Sequence, residues 1–83
     1  MPKWWIQITT EGRKVRDFTW DSKHGDVSEH DWLGCDHPTG SVARDLETAE
    51  RIARDHAERS TGERVKQVDV WSPDGSFHHR ERR

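Results

Sequence analysis

Eighty-three residues, 36% charged and 29% hydrophobic with a formal net charge of −2, describe one small domain near the lower size limit for unaided folding. No run of about 18 apolar residues is present, which excludes a membrane-spanning helix. The lone cysteine, Cys35, excludes an internal disulfide and points to a reducing, cytoplasmic setting. The start, Met1-Pro2-Lys3-Trp4, lacks the apolar segment of a secretion signal.

In chain order, residues 4–10 alternate with period two, placing Trp4, Ile6 and Ile8 on one face of a strand and Trp5, Gln7 and Thr9 on the other. Glu11-Gly12-Arg13-Lys14 reads as a hairpin turn. Val15–Trp20 forms the second strand, with Phe18 and Trp20 on its apolar face and Val15, Asp17 and Thr19 opposite. Residues 21–44 show little periodicity and much Asp, Ser, Gly and His. They are expected as a long acidic loop, with at most a short extended piece at 41–44. Trp32-Leu33 in its middle suggests that this loop folds back onto something apolar. From Asp45, a plausible N-cap, Leu46, Ala49, Ile52, Ala53, His56 and Ala57 recur at helical spacing, and Gly62 ends the helix. Arg64–Trp71 is the next strand, with Val68 and Val70 on one face and Val65, Gln67, Asp69 and Trp71 on the other. Ser72-Pro73-Asp74-Gly75 is a turn. Ser76–His78 is an optional short strand, and residues 79–83 are a polar tail.

The resulting expectation is an α+β domain over residues 1–78. It has a three-stranded antiparallel sheet in the order 2-1-3, an optional fourth strand and one helix on one face. Trp4, Ile6, Ile8, Phe18, Trp20, Val68 and Val70 would face the helix, and Trp4→Ala or Trp20→Ala would each cost about 3–5 kcal/mol.

Five tryptophans (Trp4, Trp5, Trp20, Trp32 and Trp71) and no tyrosine mark the chain. In so polar a sequence, tryptophan must supply much of the core, and any left outside is a candidate contact residue. Trp5 and Trp71 fall on the face away from the helix. Three arrangements are open there: the loop covers them with Trp32, two copies associate, or a partner docks. Charge is uneven: residues 17–50 carry −7, residues 1–16 carry +3 and residues 51–83 carry +2. The acidic segment disfavours nucleic acid and suits a basic protein partner. The leading expectation is therefore a small non-enzymatic module for protein–protein interaction, anchored by Trp5, Trp32 or Trp71 and steered by Asp26, Glu29, Asp31 and Asp36. Small single-domain chains of this kind are common among accessory and inhibitor-type proteins of phages and mobile elements.

Two other classes compete. The basic residues Arg13, Lys14 and Arg16 near the hairpin tip, and Arg80, Arg82 and Arg83 in the tail, offer phosphate contacts, and bases would stack on Trp5 and Trp71. A three-stranded sheet on a helix is also similar to the small DNA-binding domains at the N-termini of tyrosine-family integrases. That likeness rests on a strand hairpin followed by a helix opened by Thr48-Ala49-Glu50, and the strand after the helix departs from it. His24, His30, Cys35 and His37 form a zinc-competent set, although their spacing matches no established motif. Catalysis by Cys35 with His37 lacks an orienting third group, and the surrounding carboxylates oppose a thiolate. No cofactor motif is present: the glycines lie at 12, 25, 34, 40, 62 and 75, none in a phosphate-binding series.

Overall fold

The computed structural model describes residues 3–83. Six strands and one helix follow in the order β1 (Lys3–Thr10), β2 (Val15–Asp21), β3 (Asp26–His30), β4 (Asp36–Val42), α1 (Leu46–Thr61), β5 (Val65–Trp71) and β6 (Phe77–Arg82). All pairings are antiparallel, and the strands form one sheet in the order β4-β3-β2-β1-β5-β6. No helix among the described residues is long and apolar enough to cross a membrane.

This corrects the expected three-stranded sheet. The acidic stretch 21–44 is not a loop: it holds β3 and β4. The stretch 79–83 is not a free tail, since β6 pairs with β5 from Trp71↔Phe77 to Gln67↔Arg82. The three added strands escape an alternation search because they carry few apolar side chains. Inward positions on β3 and β6 hold charged or imidazole groups that meet the helix: Glu29 faces His56 at 3.5 Å, His79 meets Glu50 at 2.8 Å, and Arg54 reaches Glu81 at 3.4 Å. These polar edges leave the apolar core to the centre of the sheet.

The core is Ile6, Ile8, Phe18, Trp20, Val27, Val65, Val68 and Val70 over Ala43, Ala49, Ala53 and Ala57, with Trp4, Leu46 and Ile52 packed at its margin. Alanines on α1 let the helix axis lie close to bulky sheet residues. Val65 departs from the expected face, because a register shift between Thr9 and Thr10 turns it inward opposite Thr10. Asp45 caps α1 by accepting from Thr48 N at 2.8 Å, and Gly62 (φ 71°) closes it with its N–H on Glu58 O. Trp20 adds a polar tie, donating from Nε1 to the Ala43 carbonyl at 3.1 Å. Among the described residues, no buried side-chain polar atom lacks a partner.

Three of the hairpins share one turn. In residues 10–14, 31–35 and 72–76 the first N–H donates to the fifth carbonyl. The fourth N–H donates to the first carbonyl, and the fourth residue has positive φ. That position is Gly34 (86°) and Gly75 (87°) in two turns but Arg13 (64°) in the first. Gly12 holds the third position, where its N–H donates to Glu63 Oε1 at 3.1 Å and a Cβ would collide with that carboxylate.

Candidate functional site

Period-two alternation, carried through the strand register, sets out the face away from the helix in rows. One row runs Phe77, Trp71, Trp5, Thr19, Ser28 and Pro38 from β6 to β4. The next runs Arg80, Asp69, Gln7, Asp17, His30 and Asp36, and a third begins Arg82, Gln67, Thr9 and Val15. No element among the described residues covers this face. Trp71 packs edge-to-face on Phe77 at 5.6 Å, and Trp5 meets His30 of the next row at 4.9 Å.

Polar groups lock those side chains. Asp17 Oδ1 accepts from Trp5 Nε1 at 3.3 Å and from Gln7 Nε2 at 3.1 Å. Asp69, only 3% exposed, accepts from Arg80 Nε at 2.6 Å and Gln67 Nε2 at 2.8 Å. Asp36 accepts from Lys3 at 3.4 Å and meets His30 Nδ1 at 2.8 Å, and His30 and Lys3 hold its carboxyl below the usual carboxylate range. Lys3 on β1 thus reaches β4 across two strands, so the twist curls this diagonal of the face inward. Between Trp5 and Trp71, a groove of about 470 Å³ is lined by Lys3, Gln7, Ser72, Pro73 and Gly75.

Trp32 does not cover this face, contrary to the folded-back loop. It stands at the β3–β4 turn, 91% exposed, beside Leu33 at 67%. The turn beneath them is tightly built. Asp31 Oδ1 accepts from Leu33 N and Cys35 N, both at 2.9 Å, and Oδ2 meets His37 Nε2 at 2.6 Å. The His37 contact, then the Cys35 N–H, lowers the Asp31 pKa, and Asp31 in turn raises that of His37.

Of the acidic residues expected to steer a partner, Asp31 is the turn cap, Asp36 is paired with Lys3 and His30, and Glu29 sits on the helix side between Arg16 (3.6 Å) and His56. Asp26 is exposed. The metal candidates are divided between separate carboxylates: His24 with Asp21, His30 with Asp36 and His37 with Asp31, while Cys35 is exposed. Among the described residues, no group of three or more His, Cys, Asp or Glu is placed to hold a metal ion.

The basic residues do gather in part. Pairing of β1, β5 and β6 brings the 11–14 turn beside Arg64 (Glu11 N to Arg64 O, 2.9 Å) and Arg83 beside Lys66 (Arg83 N to Lys66 O, 2.9 Å). Arg13, Lys14, Arg82 and Arg83 therefore share one end of the sheet, whereas Arg80 lies on the open face and Arg16 on the helix side. Sequence reading missed Phe77 and His30 as neighbours of the tryptophans: the strand that carries His30 was not recognised, and the optional strand at 76–78 had no assigned face. No protein-family model, curated protein or solved structure matches the chain.

Proposed function

We propose that this chain is a non-enzymatic protein-binding module whose contact point is the β3–β4 turn. The observation that supports this reading is Trp32, 91% exposed with Leu33 beside it, on a turn pinned by three bonds to Asp31. The fold gains almost no burial from Trp32 and little from Leu33. A large apolar group held in a fixed position loses little entropy on docking, which is what an interface anchor requires. The free charge near the turn is smaller than the sequence suggests, so the partner is selected by a pocket for Trp32 more than by steering. The test is capture from source-cell lysate by the immobilised chain, with Trp32→Ala/Leu33→Ala as the control. The captured protein is then purified and titrated against both. Loss of binding at least tenfold supports the anchor; equal affinity refutes it.

A second reading rests on the gathering of Arg13, Lys14, Arg82 and Arg83 at one end, which suits a phosphate backbone. It requires binding of single- or double-stranded oligonucleotides that weakens steeply with salt and is lost on Arg13→Ala/Arg82→Ala. No binding at low salt removes it.

A further inference from the structure

The open face is polarised across the strands. Its β2–β3–β4 half carries Asp17, Asp21 and Asp36, and its outer strand β6 carries Arg80 and Arg82. A half-turn about an axis in the plane of the face, parallel to the strands and between β1 and β2, carries β6 over β4, β5 over β3 and β1 over β2 of a second copy. Row by row, this sets Arg80 against Asp36 of the other copy, Asp69 against its His30, Gln7 against its Asp17 and Phe77 against its Pro38. A half-turn across the strands would instead set the acidic half on itself. Twist does not obstruct the first arrangement: a saddle-shaped sheet is unchanged by a half-turn about such an axis, so two copies nest as aligned sheets do.

We infer that the open face is the interface of a two-fold symmetric dimer in which the acidic half of each sheet packs on the basic half of the other. Arg80 spends Nε on Asp69, its guanidinium carbon lies 5.7 Å from the centre of the Phe77 ring, and the side chain stays 46% exposed. Phe77, 51% exposed, and the half-buried Trp5 and Trp71 supply the apolar strip. Six strands at about 4.8 Å and about seven residues at roughly 3.3 Å each give a footprint on the order of 650 Å² per copy before side-chain relief. That is at the small end of specific interfaces, so the dimer forms reversibly with concentration.

Sedimentation equilibrium of the wild-type chain from about 1 µM to 1 mM tests this. A mass rising from one chain to two is expected, and a monomer throughout overturns the inference. Asp36→Arg and Arg80→Asp each place like charges in both symmetric contacts, so each alone should be monomeric. An equimolar mixture should dimerise, because one contact then keeps its native charges and the other is restored with reversed sign. Folded single variants that still dimerise, or a mixture that stays monomeric, overturn the pairing. Arg80→Asp also leaves the buried Asp69 unpaired, so Phe77→Lys provides an independent probe at an exposed edge position. It should raise the dimer dissociation constant at least tenfold, and an unchanged constant refutes the interface. A monomer whose Trp5 and Trp71 emission is quenched by an oligonucleotide would assign the face to nucleic acid instead. Trp32 lies beyond these rows, so Trp32→Ala leaves dimerisation intact whether or not the anchor reading holds.

Discussion

Trp20 is the residue whose replacement reads the core most directly. It is 5% exposed, packs on Trp4 with ring centroids 6.3 Å apart, and its indole N–H satisfies the carbonyl of Ala43, itself buried between β4 and α1. Trp20→Phe keeps an aromatic ring and removes the donor. A buried carbonyl left unpaired costs about 1–3 kcal/mol, and the smaller ring forfeits roughly 1 kcal/mol more of burial. Trp20→Ala should cost about 3–5 kcal/mol. Trp4 differs: it lies at the core margin, half-buried, with His78 edge-on at 4.9 Å. Trp4→Ala should therefore cost only about 1–2 kcal/mol, less than position on the apolar face alone suggests. A domain of this length has about 4–12 kcal/mol in hand, so the Trp20 variants separate cleanly. Urea unfolding followed by far-UV circular dichroism, with the m-value held constant, gives the comparison. A Trp20→Phe cost under about 0.5 kcal/mol would refute the tie to Ala43. A Trp4→Ala cost equal to that of Trp20→Ala would refute the division between core and margin.

Other consequences are equally direct. Arg13 holds φ 64° in a turn where the equivalent positions are glycine, so Arg13→Gly should raise stability by about 1 kcal/mol; a loss in the urea midpoint would contradict it. Trp32→Ala should leave stability within about 0.5 kcal/mol of wild type, and a larger loss would mean that the turn depends on that ring. Asp31→Asn should lower the His37 pKa towards its ordinary 6.5, read by NMR titration, because Asp31 is the first cause of its rise; an unmoved pKa would show that the contact is absent in solution.

Legibility followed apolar content. β1, β2, α1 and β5 carry alternating or helical apolar positions, and the face assignment of Trp5 and Trp71 comes from that alternation. Val27 is the one apolar residue that β3 turns inward, and β6 begins with one Phe and continues with His, Arg and Glu. Backbone pairing and ion pairs to the helix hold these strands, and neither leaves a hydrophobic period. One signal was available for the β3–β4 hairpin. Asp31-Trp32-Leu33-Gly34-Cys35 has its polar first residue and glycine fourth residue at the same places as Ser72-Pro73-Asp74-Gly75-Ser76. The second was read as a turn and the first was not, because Trp-Leu at its centre looked like a segment seeking burial. Edge protection is the other illegible device: β4 at one border carries Pro38 and Gly40 (φ 82°), which interrupt a regular edge, and β6 at the other is charged.

The acidic charge of the middle segment is spent mainly inside the fold, and this fixes how stability depends on pH. Asp21 accepts from Lys23 N and His24 N, Asp31 caps its turn, Asp45 caps α1, and Asp36 joins β4 to Lys3 and His30. In each case the folded pKa lies below the ordinary 3.8: a histidine contact leads for Asp21, Asp31 and Asp36, and the Thr48 N–H leads for Asp45. A lowered carboxylate pKa contributes stability that is fully present above 3.8 and is lost as pH falls through the folded value. Asp74, lowered to about 2 chiefly by Ser72 and then Ser76, extends that loss furthest into acid. His37 has the opposite sign. Its raised pKa contributes below 6.5, and the contribution is lost as pH rises through the folded value. The urea midpoint should therefore be highest between about pH 4 and 6.5, fall steeply below 3.8 where several caps protonate together, and decline gently as pH rises through the raised His37 pKa. A midpoint that is flat from pH 2 to 5 would mean that these carboxylates are solvated and not holding the turns, and the ion-paired reading of the acidic segment would fall with it.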